Sequence, residues 1–236
     1  MYLANITRPD IAFAVNLLAR KQSNATIENW IDVKRIMRYL RGSSDLGLTY
    51  RGVTENLEIF TDASFRDNAD SSSTSGMVAR LFGDSIMWRS HKQTVINLST
   101  CHAEYYAMSE ACQEMISLDK ALRDILGIIM YPIIIRCDNK FSISCTQKEG
   151  NHKLKNFDDS IDEIIINLEN REKTGIKNKL SKVHGDYIKQ CVTEGKVKLI
   201  WIPSKENLAD IFTKLLPFDS FRALRDNIFN YCICSI

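Results

Sequence analysis

The chain has 236 residues, 44% hydrophobic and 25% charged, with 10 glycines and 4 prolines. That composition excludes a disordered tail or a collagen-like chain, and the length suits one large domain or one domain with a smaller piece. No run approaches the ~20 apolar residues of a membrane span, Met1–Arg8 shows no signal pattern, and the seven scattered cysteines read as reduced thiols of an intracellular protein.

The net charge of +2 is unevenly divided. Residues 1–51 hold eight Lys or Arg against four Asp or Glu, a local balance of +4, which leaves the remainder at −2. A basic front and a mildly acidic body suggest contact with a polyanion and chemistry at a metal.

Two helices are predicted in the front piece. Asp10–Lys21 places Ile11, Val15 and Leu18 at helical spacing behind Pro9. Ile27–Arg41 repeats the spacing with Trp30, Val33, Met37 and Leu40, and Gly42 ends it. Lys34, Arg35, Arg38 and Arg41 fall away from that stripe, either as a solvated face or as a row of phosphate contacts.

From Leu57 the pattern alternates as a strand to Asp62. Ser75–Phe82 and Ser85–Arg89 follow as strands, with Gly83-Asp84 as the turn between them. Leu98–Leu126 carries a long helical stripe closed by Gly127. Ile133–Cys137 is the continuous apolar run of a buried strand. Phe141–Thr146 and Ile161–Leu168 read as helices, Val197–Ile202 as a fifth strand, and Glu206–Lys214 and Phe218–Ile228 as helices. Residues 68–75 and 169–182 are the predicted exposed loops. The layout is mixed α/β with one central sheet. The predicted boundaries are a helical piece at 1–51, the α/β domain at 52–217, and a C-terminal helix and tail at 218–236.

Four acids stand at element ends. Asp62 closes the first strand, Glu104 lies one turn into the long helix, Asp138 follows the fourth strand, and Asp210 lies in the segment after the fifth. If the strands of Asp62 and Asp138 are parallel neighbours, their acids share one sheet edge. Like charges so placed raise each other's pKa unless cations fill the site, and oxygen ligands favour Mg²⁺ or Mn²⁺. Two such ions suit the in-line displacement at a phosphodiester. A lone acid at a strand end is more often a turn or cap residue, so the flanking sequence matters.

That flanking sequence runs in order. It comprises Ile59-Phe-Thr-Asp62-Ala-Ser, Ser73-Thr-Ser-Gly76, Ser90-His-Lys-Gln93 and Leu98-Ser-Thr-Cys-His-Ala-Glu104-Tyr. Cys137-Asp138-Asn139 and Asn207-Leu-Ala-Asp210-Ile-Phe-Thr-Lys214 complete it. The set resembles the ribonuclease H region of copia-type retrotransposon polyproteins. The front piece, Tyr2-Leu-Ala-Asn-Ile-Thr-Arg-Pro-Asp10 through Ile36-Met-Arg-Tyr-Leu-Arg-Gly42, is similar to the end of the reverse transcriptase in the same polyproteins, so the resemblance spans nearly the whole chain.

The resemblance implies a ribonuclease H-like fold, a five-stranded mixed sheet flanked by helices, behind a thumb-like or connecting piece. It implies hydrolysis of the RNA strand of an RNA/DNA hybrid, leaving 5′-phosphate and 3′-hydroxyl ends. The metal-binding acids map onto Asp62, Glu104, Asp138 and Asp210, with two Mg²⁺ or Mn²⁺ ions. Partners would be the hybrid and the rest of a Pol polyprotein, with no membrane, in the cytoplasm within a retroelement particle or in the nucleus. The 2′-hydroxyl and helix shape distinguish RNA from DNA. Ser64, Ser99 and Asn139 are candidates for such contacts, although turn and cap duty is the plainer role for Ser64 and Ser99.

The sequence also departs from the pattern. Lys179-Leu-Ser-Lys-Val-His-Gly185 stands where copia-type elements carry a Lys-His-Ile-Asp-type segment, after a charged stretch, 158–177, that reads as inserted. No His precedes Asp210 closely, where many ribonucleases H have one. His102 is read as a surface or structural residue. No Tyr-x-Asp-Asp run occurs, so no polymerase activity is expected. The competing readings are an inactive relic or recruited hybrid-binding module, and another nuclease or strand-transfer enzyme on the same fold. The two cysteines of the tail, Tyr231-Cys-Ile-Cys-Ser-Ile236, are too few for a zinc site alone.

Overall fold

A computed structural model describes residues 1–147 and 179–231, apart from 69, 96 and 98. The predicted helix Ile161–Leu168, the stretch 158–177 and the two tail cysteines lie outside the described residues. At the centre is one sheet of five strands: Leu57–Ser64 (β1), Thr74–Leu81 (β2), Asp84–Lys92 (β3), Ile133–Cys137 (β4) and Val197–Trp201 (β5). Their order is β3-β2-β1-β4-β5. The first three strands form antiparallel pairs, whereas β1 is parallel to β4 and β4 to β5. A 27-residue helix between β3 and β4, Thr100–Leu126, makes the parallel return possible. This is the five-stranded mixed sheet flanked by helices that the sequence leads one to expect.

Helices or turns cover both faces, so β1 is apolar on both. Leu57 and Ile59 enter one core with Met77, Ile133 and Ile135, closed by Met108 and Met115 of the long helix. Phe60 enters the other with Val78, Leu208, Phe212 and Ile228. Ala4, Ile11 and Ala12 of the front piece share that second core, and Trp88 Nε1 donates to the Ala4 carbonyl at 2.7 Å.

The seven helices of the described residues are Tyr2–Ile6 (α1), Ala12–Ala19 (α2), Ile27–Gly42 (α3), Thr100–Leu126 (α4), Lys140–Gln147 (α5), Lys179–Thr193 (α6) and Phe218–Ile228 (α7). Ser99 caps α4 by accepting from His102 N at 3.2 Å, and Gly127 ends it at φ 68°, in the left-handed region. Gln93 pins the start of α4. It is 1% exposed, and its Nε2 donates to Ser75 Oγ at 2.8 Å and to the Ala103 carbonyl at 3.0 Å.

Several expectations are corrected. The hairpin turn is Phe82-Gly83, not Gly83-Asp84. Both turn residues have positive φ, and Asp84 already pairs with Leu81 while its carboxylate accepts from the amides of Arg51 and Gly52. Pro9–Ile11 is a 3-10 turn, and the α-helix starts only at Ala12. Lys179–Lys182, assigned to a loop, is the start of α6.

Two further corrections bear on function. Glu206–Lys214 is not an α-helix but two 3-10 turns, Ser204–Glu206 and Leu208–Phe212. The break falls at Asn207, whose extended backbone cannot continue a helix. Its side chain accepts from Ala209 N at 3.1 Å and donates to the Thr61 carbonyl of β1 at 3.0 Å. On α3, only part of the predicted apolar stripe meets the body. Trp30 and Met37 are exposed, Lys34 lies 5.5 Å over the Trp30 ring, and the body is met by Ile36, Tyr39 and Leu40. The helix is anchored instead by polar groups: Tyr39 donates to Asp10 at 2.6 Å, and Arg8 pairs with Asp10 at 2.7 Å while donating to the Ser43 carbonyl.

Candidate active site

The register brings the predicted acids together. Phe60 of β1 pairs with Arg136 of β4 in a parallel ladder. Two residues on from each, Asp62 and Asp138 therefore stand side by side at the carboxyl ends of the strands. Helix α4 packs across β1 and brings Glu104 to the same edge, where it is 6% exposed. The 3-10 turn after β5, stapled to β1 by Asn207, brings Asp210. Carboxylate oxygens of Asp62, Asp138 and Asp210 lie within 4.8 Å of one another. Glu104, Cys137 and Asp138 form a second such group, sharing Asp138.

Asp62, Glu104 and Asp138 line an open cleft together with Asn139, Lys140, Trp201 and Lys214. Asn139 serves two ends. It lines the cleft, and its side chain caps α5 by accepting from Ser142 N at 3.0 Å. Ser99 is spent on the α4 cap. Ser64 is half-buried at the end of β1, opposite Thr74. Lys34, Arg35, Arg38 and Arg41 are exposed on α3 and do not line the cleft. Of the other front cations, Arg8 is buried against Asp10, and Arg20 donates to Asn16 at 3.0 Å and Thr74 at 3.2 Å. His184 bonds Ser109 of α4 at 2.9 Å, and burial pulls its pKa down.

Residues not singled out from the sequence complete the site. Lys214 Nζ lies 3.1 Å from Asp62 Oδ1 and 3.0 Å from Asp210 Oδ1. The Thr213 hydroxyl donates to the other oxygen of Asp62. Ser204 donates to Asp138 Oδ2 at 2.6 Å, and the Trp201 indole donates to the Asp138 carbonyl at 2.9 Å. Lys140 Nζ sits 4.1 Å from the Trp201 ring centroid, a cation–π contact at the rim. Lys214 had a signal in the sequence, four residues after Asp210, but a lysine beside acids reads first as a solvated residue.

Burial and mutual repulsion dominate the electrostatics. Burial lifts the Glu104 carboxyl well above its usual range, and Asp62 and Asp138 lift it further. Burial raises Asp62 as well, although Lys214 and Thr213 counteract part of the effect. Asp210 is pushed up to about 7 by burial and then by Asp62. For Lys214, burial opposes the charge, but the two carboxylates outweigh it and raise the pKa.

These groups fit hard divalent cations. All four acids offer oxygen, and the raised pKa values of Asp62, Glu104 and Asp210 mark buried negative charge that lacks sufficient positive charge nearby. Cys137 does not fit. Burial drives its thiol pKa well up, and the protonated sulfur lies 3.9 Å from Glu104 as a weak donor. A stability consequence follows. An acid whose pKa rises on folding contributes stability that is complete below its ordinary value near 4 and lost as pH climbs to the raised value. For Asp210 that window is pH 4 to 7. The gain in melting temperature from Mn²⁺ over EDTA is therefore expected to be larger at pH 8 than at pH 5.5, because bound ions replace protons. Equal gains at both pH values would contradict it.

No protein-family model matches the chain. Over 228 residues, 96% of its length, it is 31% identical to the retrovirus-related Pol polyprotein from transposon TNT 1-94 of Nicotiana tabacum. It spans 15% of that polyprotein's length. It is 39% identical over 129 residues to secreted RxLR effector protein 161 of Plasmopara viticola, covering 54% of this chain and 91% of that one. Among solved structures, LC11-RNase H1 isolated from compost superposes with a TM-score of 0.45 at 17% identity, covering 68% of this chain and 94% of that one. With the ordered motifs around its four acids, the chain belongs to the family of copia-type retrotransposon Pol polyproteins.

Proposed function

We propose that this chain is a divalent-metal-dependent endoribonuclease that cuts the RNA strand of RNA/DNA hybrids, the ribonuclease H activity of such a polyprotein. One observation carries the reading: Asp62, Asp138 and Asp210 converge within 4.8 Å beside an open cleft lined by Asp62, Asp138 and Glu104. Four carboxylates at one sheet edge cost stability unless cations fill them. Asp62, Glu104, Asp138 and Asp210 would hold Mg²⁺ or Mn²⁺. When bound, such ions stabilise charge developing on a phosphodiester and lower the pKa of water.

The chain's own groups do the positioning. Ser204 fixes the Asp138 carboxylate, and Asn207 and Thr213 fix the segment of Asp210 against β1. Asn139, Lys140 and Trp201 form the polar and aromatic rim where a ribose and phosphate would lie. Of the candidate contacts, Asn139 is the one placed in the cleft. Residues 1–51 are the end of a reverse transcriptase whose remainder would be the partner. A set of end-labelled duplexes tests substrate choice. RNA/DNA hybrid is expected to be cut, while double-stranded DNA, and a hybrid with one deoxyribonucleotide at the cut site, resist there. Cleavage of double-stranded DNA at a comparable rate would favour a different nuclease.

Lys34, Arg35, Arg38 and Arg41 are exposed together on α3 and are proposed to grip the duplex backbone. Changing Lys34, Arg35 and Arg38 to Ala should reduce the slope of log K against log salt by about 2–3, since each phosphate contact contributes ~0.9. Binding measured by fluorescence anisotropy across salt decides it. An unchanged slope would make this helix an ordinary solvated face.

A further inference from the structure

The place between Asp62 and Asp210 is taken by the chain's own cation. Lys214 Nζ lies 3.1 Å from Asp62 Oδ1 and 3.0 Å from Asp210 Oδ1. The second oxygen of Asp62 is held by Thr213. Asp62 is 1% exposed, so this contact is its route to charge compensation within the chain. The backbone around the lysine is fixed. Ser90 Oγ donates to the Phe212 carbonyl at 2.7 Å, and Lys214 N donates to the Asp210 carbonyl at 3.0 Å. The side chain is not fixed in the same way: it is 37% exposed and lines the open cleft on a flexible four-carbon stem.

We propose that Lys214 is the resident counter-cation of the acidic cluster, and that a divalent ion shared by Asp62 and Asp210 must displace its ammonium group. This rests on the reading that the four acids hold divalent cations. The ammonium bonds the two oxygens that an ion bridging Asp62 and Asp210 would take, so it occupies that ion's place, and its charge adds repulsion to any ion that enters beside it. The lysine thus lets the cluster stay folded without metal, and it weakens metal binding there by competition. Once displaced, the ammonium remains in the cleft, beside the ions and facing an anionic substrate.

The test is calorimetric titration of Mn²⁺ into the wild-type chain, Lys214→Met, Lys214→Gln and Asp138→Asn, with folding checked by circular dichroism. Melting in EDTA at pH 8 is measured beside it. Both lysine variants should bind Mn²⁺ at least about tenfold tighter, the factor by which one neighbouring charge shifts an equilibrium per pK unit. They should also melt lower than wild type in EDTA and regain that difference in saturating Mn²⁺. Unchanged or weaker Mn²⁺ binding in folded lysine variants would overturn the proposal. If wild type binds Mn²⁺ and Asp138→Asn loses it, such a result sinks the lysine's role alone. If wild type binds no Mn²⁺, the metal reading falls and the proposal falls with it.

Discussion

Asp138→Asn should lower metal-dependent cleavage of the RNA strand at least about a hundredfold, equivalent to ~2.7 kcal/mol of barrier. Asp138 belongs to both clusters of potential ligands, with Asp62 and Asp210 in one and Glu104 in the other, so its charge acts on every ion held there. It is also the acid whose replacement disturbs the fold least. Its side chain is half-buried beyond the end of β4, and the contact from Ser204 survives in asparagine, whose amide oxygen still accepts. Stability should therefore stay within about 0.5 kcal/mol of wild type. Asp62→Asn is a poorer test, because that side chain is buried against Thr213 and Lys214. A folded Asp138→Asn protein that cuts at the wild-type rate would remove the metal assignment.

Gly76→Ala should damage the site from the opposite side of β1. Gly76 pairs with Asp62 across the β1–β2 ladder, and the turn carrying Asp210 packs directly on it. A Cβ there would lie 2.6 Å from Thr213 Cγ2, 2.8 Å from Phe212 Cβ and 2.9 Å from the Ala209 carbonyl oxygen. Two of those three atoms belong to backbone or to the first side-chain carbon, so the whole turn has to shift. Overpacking of this kind costs about 1–3 kcal/mol. Because the displaced segment carries Asp210, Thr213 and Lys214, cleavage should fall with stability. Gly185→Ala is the control. It lies within α6 with open space at its Cβ, where alanine should stabilise by about 0.5–1 kcal/mol. Equal melting temperatures for Gly76→Ala and wild type would refute the close packing.

The contrast between these two glycines separates what the sequence alone shows from what depends on the packed fold. Strands β1 and β4 were readable because alternation or a continuous apolar run ended at an acid, and the helix of Glu104 because its stripe runs unbroken to Gly127. The four acids were readable through the ordered motifs, and the register of Phe60 with Arg136 now places two of them side by side. The segment after β5 was misread as an α-helix because local spacing favoured one. What decides it is tertiary: Asn207 bonds to β1, and Gly76 leaves room for a tight turn. The exposed Trp30 and Met37 on α3 were misread for the same reason, since the anchoring of that helix depends on Tyr39 and Asp10, 29 positions apart. Lys214 was visible only as a letter after Asp210. Its role depends on a carboxylate 152 residues earlier in the chain.

The most direct measurement is incubation of the purified chain with an RNA/DNA hybrid labelled on the RNA strand, in Mg²⁺ and in EDTA. Metal-dependent cuts in the RNA that leave 3′-hydroxyl and 5′-phosphate ends, with the DNA strand intact, are the expected result. A folded chain that leaves the RNA whole in Mg²⁺, or that cuts equally in EDTA, would contradict metal-dependent hydrolysis at Asp62, Glu104, Asp138 and Asp210.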